Sequence, residues 1–253
     1  MLWISRRPVI HLYKTKDLHR DWSLKRTRQI RDRSIVIPHF EADVLQSHIL
    51  RWFEVAGRYF PWRKKTANNY YHVISEVLLQ RTQAETVAKF WPSFIKDYPS
   101  WKRLSQATEV ELQECLKPVG LWRRRAASLY LLAQEMERRR GRFPRGQDEI
   151  ESLPGVGQYL ANAILLFCYN EHRPLLDSNM ARVLERVFGP RELADIRDDL
   201  YLQSLAKQIV DCKESILINW AILDLAALIC KIKTPLCSSC PLSNNCRYAR
   251  FGK

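Results

Sequence analysis

The sequence predicts an all-α protein. Apolar residues recur at helical spacing in segment after segment, no alternating strand pattern of convincing length interrupts them, and breaks bearing Gly or Pro divide them. The 253 residues suffice for one large domain or two modest ones with a proper core. From Phe40, the residues Val44, Ile49, Trp52, Phe53 and Ala56 keep helical spacing, and Gly57 ends that helix. A second helix runs from Tyr71 to Thr82, with Val73, Ile74, Val77 and Leu78 on its apolar face. Glu76 and Gln80 lie four apart on another face, from which both can look into a cleft. Helical segments follow at Val87 to Ile95, Glu109 to Leu116 and Arg123 to Met136, divided by Pro99, Pro118-Val119-Gly120 and Gly141 to Gly146. Leu153-Pro154-Gly155-Val156-Gly157 then makes a tight turn, and Gln158 to Tyr169 leaves it as an apolar helix. Asp177, Ser178 and Asn179 favour a helix N-cap and open the next apolar run. Asp198 to Val210 and Ser215 to Cys230 complete the series.

A net charge of +14 points to a polyanionic partner, nucleic acid before membrane. The segment 1–38 holds ten Lys or Arg against three Asp, a net +7, half of that charge. It reads either as an arm contributing affinity for phosphate or as a solvated, disordered tail. No uninterrupted apolar run reaches the ~18 residues of a membrane span, and Met1 to Ile10 lacks the apolar core of a signal peptide. A cytoplasmic, nucleoid-associated protein of a prokaryote, acting as a monomer away from membranes, is expected.

Several residues admit two readings. The glycines of the 153–157 turn free the backbone N–H groups at a helix N-terminus to face an anion, or they make an ordinary helix-to-helix turn. Asp177 is a reactive carboxylate or simply an N-cap. Glu76 lines a pocket or is a solvated surface residue. Leu121 is a wedge that enters a base step or a core residue, with the basic run Arg123 to Arg125 on phosphates in the first case.

Seven cysteines in an unsecreted chain argue for metal ligation or free thiols. Cys230 is followed by six residues, Cys237 by two and Cys240 by five before Cys246. Zinc sites usually pair two C-x-x-C knuckles across a longer loop, whereas here one C-x-x-C is bracketed by lone cysteines. Cys115, Cys168 and Cys212 sit in apolar helical settings as buried thiols.

From about Phe40 to Cys246 the chain resembles the helix-hairpin-helix, endonuclease III-like DNA glycosylase superfamily. The resemblance rests on Leu153-Pro154-Gly155-Val156-Gly157, on Asp177 eighteen positions after Tyr159, and on the cysteine spacing. Tyr59-Phe60-Pro61-Trp62-Arg63 and Ser75-Glu76-Val77-Leu78-Leu79-Gln80-Arg81-Thr82 are similar to stretches of its mismatch-specific branches. The resemblance implies two helical lobes, a barrel at 67–171 carrying the hairpin and a cluster lobe built from 39–66 plus 172–253, with the active site between them. It implies a four-iron four-sulfur cluster on Cys230, Cys237, Cys240 and Cys246, for which four thiolates are suited. It implies Asp177, Glu76 and Tyr159 as catalytic residues. It also implies DNA contacts from Gly155, Val156 and Gly157, from Gln80 and Arg81, and from Leu121, Trp122 and Arg123, on mismatched double-stranded DNA. Bifunctional members carry a lysine at position 159, whose amine forms a Schiff base; the phenol of Tyr159 cannot. A tyrosine there resembles the thymine-mismatch branch, and the sequence ends seven residues after Cys246, without the further domain of typical adenine glycosylases. Monofunctional release of thymine or uracil opposite guanine is the expected activity. Adenine release opposite guanine or 8-oxoguanine is the alternative.

Overall fold

A computed structural model describes residues 39–252, and the basic segment 1–38 lies outside the described residues. Helix α1 (His39–Ala56) precedes a 3-10 turn (Pro61–Arg63), α2 (Asn69–Leu79), α3 (Ala84–Asp97), α4 (Trp101–Ser105) and α5 (Glu109–Leu116). After a second 3-10 turn (Lys117–Val119) come α6 (Trp122–Arg138), α7 (Gln147–Glu151), α8 (Gln158–Tyr169), α9 (Ser178–Phe188), α10 (Leu200–Val210) and α11 (Ser215–Leu228). Two short 3-10 turns, Cys237–Ser239 and Ser243–Asn245, lead to α12 (Arg247–Phe251). No strand occurs among the described residues.

Side chains start many of these helices by accepting bonds from first-turn N–H groups that have no partner inside the helix. Asn68 accepts from the Tyr71 amide, Ser100 from Arg103 and Asp199 from Leu202. Thr108 and Glu111 form a reciprocal capping box ahead of α5. Helix α2 stops three residues short of the predicted Thr82, because Arg81 takes a left-handed φ of 55°. Asn170, also left-handed at 55°, closes α8. The single-turn helices α4, α7 and α12 are not among the predicted segments.

Two hydrophobic cores organise the chain. The first runs from Phe60 and Trp62 through Leu175 and takes its side chains from α2 to α8. The second joins Ala42, Leu45 and Ile49 of α1 to α9, α10 and α11, and reaches Leu242 and Cys246. Leu223 on α11 packs against both. Helix α11 is apolar nearly all round, so one face can serve each core.

That helix nevertheless carries a fully buried carboxylate. Asp224 accepts from the Arg58 backbone N–H at 2.7 Å and from its Nε at 2.9 Å, and the Arg63 Nη1 donates to it at 2.9 Å. Both arginines lie just outside the first core, and Arg63 stacks over the rings of Phe60 and Trp220. A buried charge persists only when paired and hydrogen-bonded in this way. Phe60 and Trp62 are 5% and 2% exposed and serve as packing residues, whereas Tyr59 beside them is 73% exposed.

Candidate active site

A cleft of about 1190 Å³ is lined by residues of both cores. Helix α2 contributes Glu76, α8 contributes Tyr159, and the cap of α9 contributes Asp177. The Tyr159 hydroxyl donates to Glu76 Oε2 at 2.8 Å, joining side chains 83 residues apart. Burial is the main influence on both groups. It pushes the Glu76 carboxyl up from 4.5 to about 7, with Asp177 adding to the rise and the Tyr159 bond and Arg63 opposing it. It also holds the Tyr159 phenol well above its ordinary value, reinforced by the charges of Glu76 and Asp177. The three groups therefore feel one another, and a carboxyl poised near neutrality is suited to move a proton.

Asp177 serves α9 as its N-cap. Its Oδ1 accepts from the amides of Asn179 and Met180, each at 2.9 Å, and the Asn179 side-chain amide donates to Oδ2 at 2.7 Å. The side chain is half-buried at the cleft wall, so capping and exposure to a ligand coexist. The two sequence readings of Asp177 are compatible in this geometry.

The buried Glu76 opposes its own ionisation, and this has a pH signature. A carboxyl raised on folding contributes stability fully present below its unfolded value of 4.5 and lost as pH rises through about 7. The loss amounts to roughly 3 kcal/mol, at ~1.4 kcal/mol per pH unit. Glu76→Gln, which keeps an acceptor for Tyr159 without the charge, is expected to unfold at a higher temperature than wild type near pH 8. That advantage should vanish near pH 4 in paired thermal melts.

Around this centre, the structure distributes the other predicted residues unevenly. Gln80, Arg81 and Leu121 stand at the cleft with exposed side chains. Arg81 and Leu121 both adopt left-handed backbone, φ 55° and 50°. Trp122 and Arg123 do not line the cleft; the Arg123 guanidinium lies 4.0 Å over the Trp122 ring on the flank of α6. Arg125, expected on phosphates with its two neighbours, is instead 5% exposed and turns inward. In the hairpin, Gly155 is at φ +73°, and a Cβ there would meet the Ser128 Cβ at 2.7 Å, so the turn sits directly on α6. Val156 is buried in the first core, and its N–H donates to the Leu153 carbonyl at 3.1 Å. Gly157 has open space around it and caps α8 without a side-chain bond, leaving first-turn amides unclaimed.

Cys230, Cys237, Cys240 and Cys246 are all free thiols, and Cys230, Cys240 and Cys246 pack against the second core. Burial pushes the Cys240 thiol up to about 11, and the other three cysteines add to the rise, which places the four within electrostatic reach of one another. Arg186 Nη1 donates to Cys230 Sγ at 3.3 Å and to the Lys231 carbonyl at 2.7 Å, holding the start of the loop. Among the described residues no three His, Cys, Asp or Glu side chains are grouped to hold a single metal ion. In donor chemistry, four free thiols are the set that an iron–sulfur cluster takes. Cys115, Cys168 and Cys212 are half-buried rather than fully enclosed. No described helix is long and apolar enough to cross a membrane.

The HhH-GPD superfamily base excision DNA repair profile matches residues 74–199 of this sequence. The chain is 36% identical over 211 residues to the thymine-DNA glycosylase of Aeropyrum pernix, covering 81% of this chain and 94% of that one. It is also 36% identical over 202 residues to a thymine/uracil-DNA glycosylase of Pyrobaculum aerophilum, covering 78% and 87%. The structure of a thermostable thymine-DNA glycosylase superposes with a TM-score of 0.75 at 31% identity, covering 82% of this chain and 96% of the other.

Proposed function

Because the chain belongs to the HhH-GPD superfamily of base excision DNA repair proteins, we propose that it is a monofunctional glycosylase releasing thymine or uracil mispaired with guanine. The carrying observation is the convergence of Tyr159, Glu76 and Asp177 in one cleft, two of them joined at 2.8 Å. The base leaves the stack and enters the cleft, a step that costs least at a mispair. As the C1′–N1 bond breaks, its electron pair goes to the ring of the base. The protonated Glu76 carboxyl gives its proton to a carbonyl oxygen of that departing ring. Positive charge develops on the sugar as an oxocarbenium ion, and the Asp177 carboxylate stabilises it from the cap of α9. Water then adds to C1′ and loses its proton to the Asp177 carboxylate or to solvent. Release should slow as pH rises above about 7, the value to which burial lifts Glu76. Tyr159 holds the Glu76 carboxyl in place and offers no amine to the opened sugar.

Arg81 and Leu121, at the mouth of the cleft, enter the duplex and fill the space the base vacates. The exposed backbone of Gly155 and Gly157 meets a phosphate at the start of α8. Incubation with duplexes carrying G:T, G:U, G:A and 8-oxoguanine:A, followed by alkali, tests the reading. Cleavage of G:T and G:U only after alkali supports it. Release of adenine with G:T and G:U untouched overturns it in favour of the alternative.

In the same proposal, Cys230, Cys237, Cys240 and Cys246 hold a four-iron four-sulfur cluster, which supplies a covalent brace to the loop rather than a redox step. The braced loop presents the exposed Lys231, Lys233 and Arg247 to phosphate. Protein purified without oxygen is expected to be brown and to lose its colour on Cys237→Ser or Cys240→Ser. A colourless preparation holding stoichiometric zinc would sink this assignment.

A further inference from the structure

Arg125 lies on the buried stripe of α6, in register with Leu129, Leu132 and Met136. Its guanidinium makes no ion pair with a carboxylate among the described residues and is bound by two turns instead. Nη1 donates to the carbonyls of Val119 at 2.9 Å and Gly120 at 2.5 Å. Nη2 donates to the Gln80 carbonyl at 2.7 Å and the Thr82 hydroxyl at 3.0 Å. The Thr82 hydroxyl donates onward to the Val119 carbonyl at 2.9 Å, which closes the link between the turns.

These acceptors bracket the left-handed residues at the cleft mouth. Gln80 and Thr82 flank Arg81, while Val119 and Gly120 lead directly into Leu121. A left-handed residue other than glycine is strained and persists only where its surroundings over-determine it. One planar fork, with one nitrogen on each turn, supplies that constraint to both. We infer that Arg125 is a positioning residue that cross-ties the two turns, so that Arg81 and Leu121 enter the duplex at a fixed separation and together. The inference rests on the proposed insertion of those two side chains. Lysine would keep the charge but presents all its donors from one atom, and so cannot hold two turns apart.

The test uses duplexes with 2-aminopurine next to a G:T mispair, whose fluorescence brightens when the neighbouring stack is opened. Arg125→Lys should brighten the probe at least about threefold less than wild type at saturating protein. It should also slow single-turnover excision about tenfold or more, the scale of a small misplacement of reacting groups. Thr82→Val, which removes one acceptor of Nη2 and the bond to Val119, should shift both readouts the same way and by less. It keeps the test open if Arg125→Lys folds poorly. Full brightening by either folded variant would overturn the inference, as would a loss that merely tracks the unfolded fraction in circular dichroism. A wild type that brightens the probe without releasing thymine would sink the substrate reading and leave the test of Arg125 intact.

Discussion

Asp177→Asn is expected to slow base release by about 100-fold or more, the usual cost of removing one preorganised electrostatic group. Binding to mismatched duplex should stay near wild type. The amide oxygen of the replacement can still accept from the backbone of Asn179 and Met180, so the cap of α9 survives. The contact with the Asn179 side chain changes: that amide can rotate to offer its oxygen in place of its NH₂, giving up the two long bonds its oxygen now accepts from Arg182. What disappears is the negative charge opposite the sugar. Single-turnover excision, with duplex binding measured alongside, separates the two contributions. Excision within a few-fold of wild type would reduce Asp177 to its capping role.

Tyr159→Lys is expected to create an activity absent from the wild type: strand cleavage, with a covalent protein–DNA adduct trapped by borohydride. The introduced amine would stand on α8 facing the cleft, next to Glu76, in place of the phenol that now donates to that carboxyl. Only the unprotonated amine attacks C1′. Beside a carboxyl that ionises at about 7 the ammonium form is favoured, so adduct formation should increase with pH through the alkaline range. Wild type should give no borohydride-trapped adduct at any pH in that range. If the substituted protein instead loses stability and every activity together, Tyr159 acts as a core residue. Adduct formation by the wild type would contradict the monofunctional reading.

Much of this architecture was legible from periodicity. The long amphipathic helices appear within a few residues of their expected bounds, and α5 and α8 match them at both ends. The single-turn helices escaped because five residues carry too little periodicity, and packing rather than propensity holds them. The meeting of Tyr159, Glu76 and Asp177 was legible only through family likeness, since no local pattern brings residues 76 and 159 together. Two charged residues were misread or overlooked although a signal was present. Arg125 keeps the spacing of Leu129, Leu132 and Met136, which marks it as inward-facing, but the adjacent Arg123 and Arg124 drew it into a surface cluster. Asp224 is the lone charge in a helix otherwise built of apolar and small polar residues. Such a charge must find a cationic partner, and only the fold discloses that Arg58 and Arg63, more than 160 residues earlier, are that partner.

Helix α11 contributes Trp220 and Leu223 to the lining of the cleft, and under the proposed function it would set where the work of recognition is done. A helix packed into two cores at once and pinned by Asp224 to Arg58 and Arg63 cannot slide without breaking all three attachments, and close-packed interiors yield little. Under the proposed function, the two sides of the cleft would keep a constant gauge, and the double helix would be the partner that bends and opens to fit. Sequences and lesions are then ranked by their compliance. A well-stacked pair would resist the deformation and a mispair would yield to it, so that, under the proposed function, stiffness becomes a property that can be read without touching a base edge.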